Sequence, residues 1–178
     1  MHPHKFALWL FMVSIVMIFA SMTSAFIVKR SDGGWPEFEL PEIFWINSGI
    51  IIASSVFMQL AYFSAKKNNL KILKWFLAMT ILLGLVFLYA QWKAWGILVE
   101  NDIYLVSNNV GGTFLYILTG LHGIHLITGI IFLIIVMIST LQYKVHSKSL
   151  VRIEMCTTYW HFLGGLWIYL FVFLLFYH

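Results

Sequence analysis

Five long apolar runs, at residues 6–28, 44–65, 72–90, 113–143 and 156–177, constrain this chain more than any other feature. The eleven basic and seven acidic side chains gather almost entirely in short clusters between them. About 20 apolar residues are enough to cross a bilayer as a helix. Hydrocarbon supplies no water to backbone N–H and C=O groups, so each run must close its hydrogen bonds within itself. The expected fold class is all-α: a polytopic membrane protein, a single membrane domain over residues 1–178 built as a bundle of five transmembrane helices. Composition closes off the soluble alternative, because 61% hydrophobic and only 10% charged residues leave too few polar side chains to cover a wet surface. The fourth run, about 31 residues or about 46 Å, exceeds a hydrocarbon core of about 30 Å and is expected to tilt or to project its C-terminal end into water.

The first run, which opens "MHPHKFALWLF", is longer than the apolar stretch of a signal peptide. "MTSAF" only imitates a cleavage site, and the segment is read as a retained helix. Lys5, Lys66, Lys67, Lys71, Lys74, Lys144, Lys148 and Arg152 put eight cations on one side, against three on the other from Lys29, Arg30 and Lys93. This asymmetry predicts a cytoplasmic N-terminus and an outside C-terminus. Helix ends and lipid phosphates thereby account for the net charge of +4, and no nucleic-acid partner is expected. Six of the seven acids then lie outside, four of them in the irregular loop "SDGGWPEFELPE". There Trp35, Phe38 and Trp45 are available as interfacial anchors, and the acids form either a solvated loop or a docking patch for a basic soluble partner.

Several residue types carry no chemistry of their own. Cys156 has no companion for a disulfide or a metal site, which predicts an inert buried thiol. Met12, Met17, Met22 and Met79 are irregularly spaced among apolar neighbours, the pattern of core filling rather than of copper ligation. No internal repeat is visible, and no carboxylate lies inside the first three runs. Neither an inverted-repeat transporter nor an independent proton pathway is supported.

Polar side chains within the apolar runs are the informative ones, because an unpaired polar group in hydrocarbon is costly. "TGLHGIHLITG", residues 119–129, places Thr119, His122, His125 and Gly129 within an arc of about 120° on one helix face. Gly120 and Gly123 lie beside them. Small residues permit close helix approach, and imidazoles seek hydrogen-bond partners. The last run opens "EMCTTYWHFLGGLW", with Glu154 at its edge, His161 about two turns inside, and Gly164 and Gly165 as a second close-approach site. Counted from opposite ends, His125 and His161 fall within about 5 Å of the same depth. A hydrogen-bonded layer linking the two helices is expected, with Thr113, Thr119 and Tyr159 as further members.

Three histidines at one level also raise metal or heme binding. Two histidines three residues apart on one helix cannot serve opposite faces of one heme, and the second helix offers only His161. A copper or zinc site from His122, His125 and His161 is open on geometry, but no carboxylate, methionine or cysteine is placed to complete it. The expectation is no metal or heme on this chain.

The two boxes together, "TGLHGIHLITG" followed after a short basic loop by "YWHFLGGLWIYLF" with Trp160 and Trp167, resemble the last two helices of subunit III of the heme-copper oxidases. Asn47 with "GIIIAS", Gln91, "GGTF" (Gly111, Gly112, Thr113, Phe114) and Glu154 ahead of "YWHF" resemble that family's landmarks in order. The resemblance covers essentially the whole chain and looks like the short five-helix bacterial form, lacking the first two helices of longer members. It implies an accessory core subunit of a cytochrome c oxidase-type respiratory complex in a bacterial inner membrane, without catalytic residues, metal or heme of its own. By the same resemblance the expected partners are the catalytic heme-copper subunit I, a copper-bearing or homologous subunit II, phospholipid and, beyond them, a larger respiratory supercomplex. Two departures stand out. Ile15 follows Ser14 where the family commonly has a carbodiimide-reactive Glu implicated in proton uptake, and Gly164 replaces a further family acid. Two other classes remain as alternatives: a cytochrome b-like anchor holding heme through His122 or His125 with His161, and a small transporter.

Overall fold

The computed structural model describes residues 3–33, 42–106, 108, 110–142 and 147–177. They form five helices: α1 (Pro3–Ser31), α2 (Ile43–Lys66), α3 (Leu70–Glu100), α4 (Val110–Leu141) and α5 (Ser147–Tyr177). All five are long and apolar enough to cross a membrane. The all-α polytopic fold is thus as expected, and no strand occurs among the described residues.

Local chemistry explains where the helices stop. Asn68 takes a left-handed conformation (φ 55°) after α2, which asparagine tolerates better than most residues. It lets Asn69 N–H reach back to Ser64 O at 3.1 Å and Asn68 N–H to Ala65 O at 3.2 Å, satisfying carbonyls that the helix end leaves open. The Asn69 side chain then accepts from Ile72 N–H and caps α3. Asp102 (φ 61°) closes α3 in the same way, with Ile103 N–H on Leu98 O at 2.9 Å.

Two boundaries differ from the sequence expectation. The third helix does not end near Ala90 but continues to Glu100. "QWKAWGILVE" contains no proline, one glycine is too weak a breaker, and Gln91, Ala94 and Leu98 continue the buried face at helical spacing. The fifth helix starts at Ser147, well ahead of Cys156, and already buries Ile153. At 31 and 32 residues, both α3 and α4 exceed a hydrocarbon core of about 30 Å when each residue adds about 1.5 Å.

Each of α2, α3, α4 and α5 contacts the next, and α5 returns to α2, which closes a four-helix ring. Among the described helices α1 touches only α4 and α5, and its buried residues are Met12, Ile15, Phe19, Thr23 and Phe26. The fifth helix therefore has neighbours on three sides. In its most apolar stretch 56% of the residues are buried, against 28% to 33% in the other four helices.

Candidate functional site

Two buried polar contacts between helices are made by the tryptophans of α5. Trp160 and Trp167 stand two turns apart on one face, and both are fully buried. Trp160 Nε1–H donates to Ser54 Oγ and Trp167 Nε1–H to Ser48 Oγ, each at 3.1 Å. Each serine hydroxyl in turn donates to a carbonyl of its own helix, Ser54 to Ile51 O at 2.7 Å and Ser48 to Phe44 O at 2.9 Å. Both indoles are thereby satisfied in a medium without water.

Glycines make the room. A Cβ at Gly84 on α3 would come within 2.9 Å of the Trp160 ring, and one at Gly129 on α4 within 2.9 Å of Leu163 and 3.4 Å of Trp160. Trp167 is the hub of the other half of the ring. Phe44 stacks on it at 5.8 Å, Phe87 meets it edge-on at 4.9 Å, and His122 lies 5.4 Å away. These arrangements suit the quadrupoles of the rings.

The expected histidine layer resolves into separate contacts. His125 donates from Nδ1 to Leu121 O on its own helix at 2.7 Å, with Phe11 and Phe19 of α1 around it. His161 pairs through Nε2 with Gln59 Oε1 of α2 at 2.9 Å. His122 faces the interior of the ring between Phe87 and Trp167. Equal depth did not bring the three together, because they sit on different faces of their helices. Among the described residues no group of three His, Cys, Asp or Glu is arranged to hold a metal.

Tyr159 does bridge α5 to α4. Its hydroxyl pairs with Thr128 Oγ1 at 2.8 Å and donates to His125 O at 3.3 Å. Thr119 accepts from Trp95 Nε1–H of α3 at 3.1 Å, and Thr113 donates to Leu105 O at 2.9 Å. Glu154 pairs with Lys5 of α1 at 2.9 Å, both side chains partly exposed. Asn47 Nδ2–H donates to Gln91 Oε1 at 3.3 Å, which joins α2 to α3 inside the core. Ile15 is buried on the α1 face between Phe11 and Phe19, the two rings that flank His125. Phe114 meets Phe26 edge-on at 5.6 Å.

The glycines divide sharply. Gly129 is a true close approach, and a Cβ at Gly164 would lie 3.0 Å from Ser55 Oγ. Gly120 would make only ordinary contact with Trp95, while Gly123 and Gly165 face open space. Gly111 and Gly112 are buried at the start of α4. The acidic-patch expectation involves Trp35, Glu37, Phe38 and Glu39, which lie outside the described residues. Trp45 is largely exposed and stands edge-on to Phe171 at 4.9 Å.

Sequence reasoning missed Gly84, Ser48, Ser54, Gln59, Trp95 and Thr128. Gly84, a lone glycine in an otherwise apolar run, carried a usable signal. The serines carried one too, since hydroxyls inside a span need a partner.

A family model described as cytochrome c oxidase subunit III matches residues 1–178. This chain belongs to the cytochrome c oxidase subunit III family. Cytochrome c oxidase subunit 3 of Rattus norvegicus and that of Homo sapiens are each 30% identical to it over 179 residues, covering 94% of this chain and 67% of the relative. The Petromyzon marinus protein of the same name is 30% identical over 182 residues with the same coverage. The heme-copper oxidase subunit III reading therefore stands, and the cytochrome b-like anchor and the transporter are not favoured. As a subunit III, the chain is a multi-pass membrane component of an oxidoreductase complex and works alongside other oxidase subunits.

Proposed function

We propose that this subunit III is an accessory core component that carries no redox centre and stabilises the catalytic heme-copper subunit during aerobic electron transport. The observation that supports this is the fate of its intramembrane polar groups. His125 and His161, two of the three histidines a metal or heme would need, are engaged with Leu121 O and Gln59. The indoles and hydroxyls of α5 are used to bind helix to helix. Its partners in this reading are subunit I and a copper-bearing or homologous subunit II, with a respiratory supercomplex beyond them. The outward apolar side chains of α1 and α2, such as Met17, Ile46 and Ile52, offer a lateral surface for such subunits or for lipid.

Cavities of about 420 Å³ between α1 and α5 and about 300 Å³ between α2 and α5 share Gly165 and suit phospholipid acyl chains. The charge asymmetry supports a cytoplasmic N-terminus and an outside C-terminus, and the resemblance to the five-helix form supports a bacterial inner membrane.

The test is removal of the subunit from the purified oxidase. Heme and copper content and the initial rate per heme are expected to be preserved, while inactivation during turnover accelerates. Stoichiometric heme or metal in the isolated chain, lost on replacing His122 or His161, would overturn the reading.

A further inference from the structure

Three side chains inside the four-helix ring carry polar atoms with no partner among the described residues: Asn47 Oδ1, Gln91 Nε2 and both ring nitrogens of His122. Asn47 and His122 are wholly buried, and Gln91 is 3% exposed. The shortfall does not depend on how the amides are oriented. Their one mutual bond, Asn47 Nδ2–H to Gln91 Oε1, leaves one acceptor and one donor unmet, and turning both amides over leaves the same pair. A neutral imidazole likewise leaves one donor and one acceptor.

The Asn47–Gln91 pair and His122 are linked through shared neighbours. His122 lies 5.4 Å from the Trp167 ring and 5.9 Å from Phe87. The Trp167 indole is bonded to Ser48, the residue after Asn47, and Gln91 stands one helical turn beyond Phe87 on the buried face of α3. The landmarks thus come from α2, α3 and α4 onto a single aromatic layer. Leaving buried amides and an imidazole unpaired is expensive, and native interiors rarely do so.

We infer that this layer binds ordered water, held between the Asn47–Gln91 amide pair and the His122 imidazole. The donor set selects water over other small ligands. It offers donors and acceptors in equal number and no charge, which matches a neutral molecule that both donates and accepts and that commonly makes about three bonds when buried. A cation would find the Gln91 amide protons turned toward it and no carboxylate or thiolate to neutralise it. An anion would be repelled by the Asn47 carbonyl and would meet no cationic side chain. The bound water ties α2, α3 and α4 into one hydrogen-bonded unit and gives Asn47, Gln91 and His122 a common role.

The test is a structure of the assembled oxidase containing this subunit, at a resolution that shows ordered solvent. Expected is a solvent peak, or a pair of linked peaks, within about 2.7–3.2 Å of an Asn47 or Gln91 amide atom and of a His122 ring nitrogen. The peak should vanish in an assembled His122→Phe oxidase, with Asn47→Leu as the second variant should the first fail to assemble. A dry interior, solvent that reaches only one side, or a direct bond between His122 and Gln91 overturns the inference. A thermal-denaturation cycle gives an independent reading: His122→Phe and Asn47→Leu should be non-additive and each should lower the melting temperature, whereas a dry orphan imidazole predicts that His122→Phe raises it.

Discussion

Gly84→Ala adds a single methyl group to α3 and tests how the tryptophan core is built. In an exposed helix the change stabilises by up to about 1 kcal/mol, because alanine loses less backbone freedom than glycine. Here the new Cβ stands 2.9 Å from the far edge of the Trp160 ring and 3.3 Å from Ile130. Ordinary contact begins near 3.4 Å, so the ring has to move by several tenths of an ångström. It is poorly able to, since Nε1 is tied to Ser54 Oγ at 3.1 Å and Gly129 presses the same indole from α4. With the ring held on both sides the cost falls in the upper half of the about 1–3 kcal/mol typical of overpacking, which leaves a net loss of about 1–2 kcal/mol after a propensity gain of about 1 kcal/mol. The assay is thermal denaturation of the detergent-purified oxidase, followed by retention of this subunit. Trp160→Phe removes the ring atoms that the methyl would strike, so the double variant should be less destabilised than the sum of the singles. Gly123→Ala, where a Cβ meets nothing within 4 Å, is the control and should be neutral or stabilising by up to about 1 kcal/mol. A Gly84→Ala oxidase as stable as the parent, or strict additivity with Trp160→Phe, would refute the reasoning.

Three further outcomes follow from the same contacts. Tyr159→Phe deletes the hydroxyl that joins α5 to Thr128 and should lower stability by about 0.6 kcal/mol, the usual worth of an intramembrane hydrogen bond; an unchanged melting temperature counts against the bridge. His161→Ala and Gln59→Leu should each destabilise by about 1 kcal/mol, and the double variant should be little worse than either single, because both remove one shared contact; full additivity would show that the pair does not form. Wild-type α1 should resist carbodiimide at Ile15, whereas Ile15→Glu should become labelled and should perturb His125, whose neighbours Phe11 and Phe19 flank that position; labelling of the wild-type helix at this site would show that α1 has been misaligned.

The number of spans and their placement were legible because hydrocarbon makes backbone satisfaction a strict condition, and long apolar runs are its direct trace. The C-terminal reach of α3 was not legible from hydropathy. Lys93 and Glu100 end the apolar run, yet a helix continues past such a run as long as no residue stops it, and the stop is the turn chemistry at Asn101 and Asp102. The polar residues were identifiable as important, whereas their partners were not. Depth can be counted along a helix, but the azimuth that decides whether His161 meets His125 or Gln59 depends on which helices are neighbours. Only the ring closure of α5 onto α2 settles that choice.

That closure also shows why histidines in a membrane helix do not by themselves indicate a redox site. A ligand pair needs two imidazoles converging on a common space with their remaining nitrogens held by other groups. In this fold His125 turns back to its own helix and His161 leaves for α2, while His122 stands between the rings of Phe87 and Trp167. The two conspicuous boxes are therefore parts of one packing device. The "YWHF" helix supplies the two indoles, the "HGIH" helix supplies the glycine seat at Gly129 and the hydroxyl at Thr128, and α2 supplies the serines. A core assembled this way tolerates little change in size at Trp160, Gly84 or Gly129. Among the described residues it buries no Asp, Glu, Lys or Arg, which suits the accessory role proposed above.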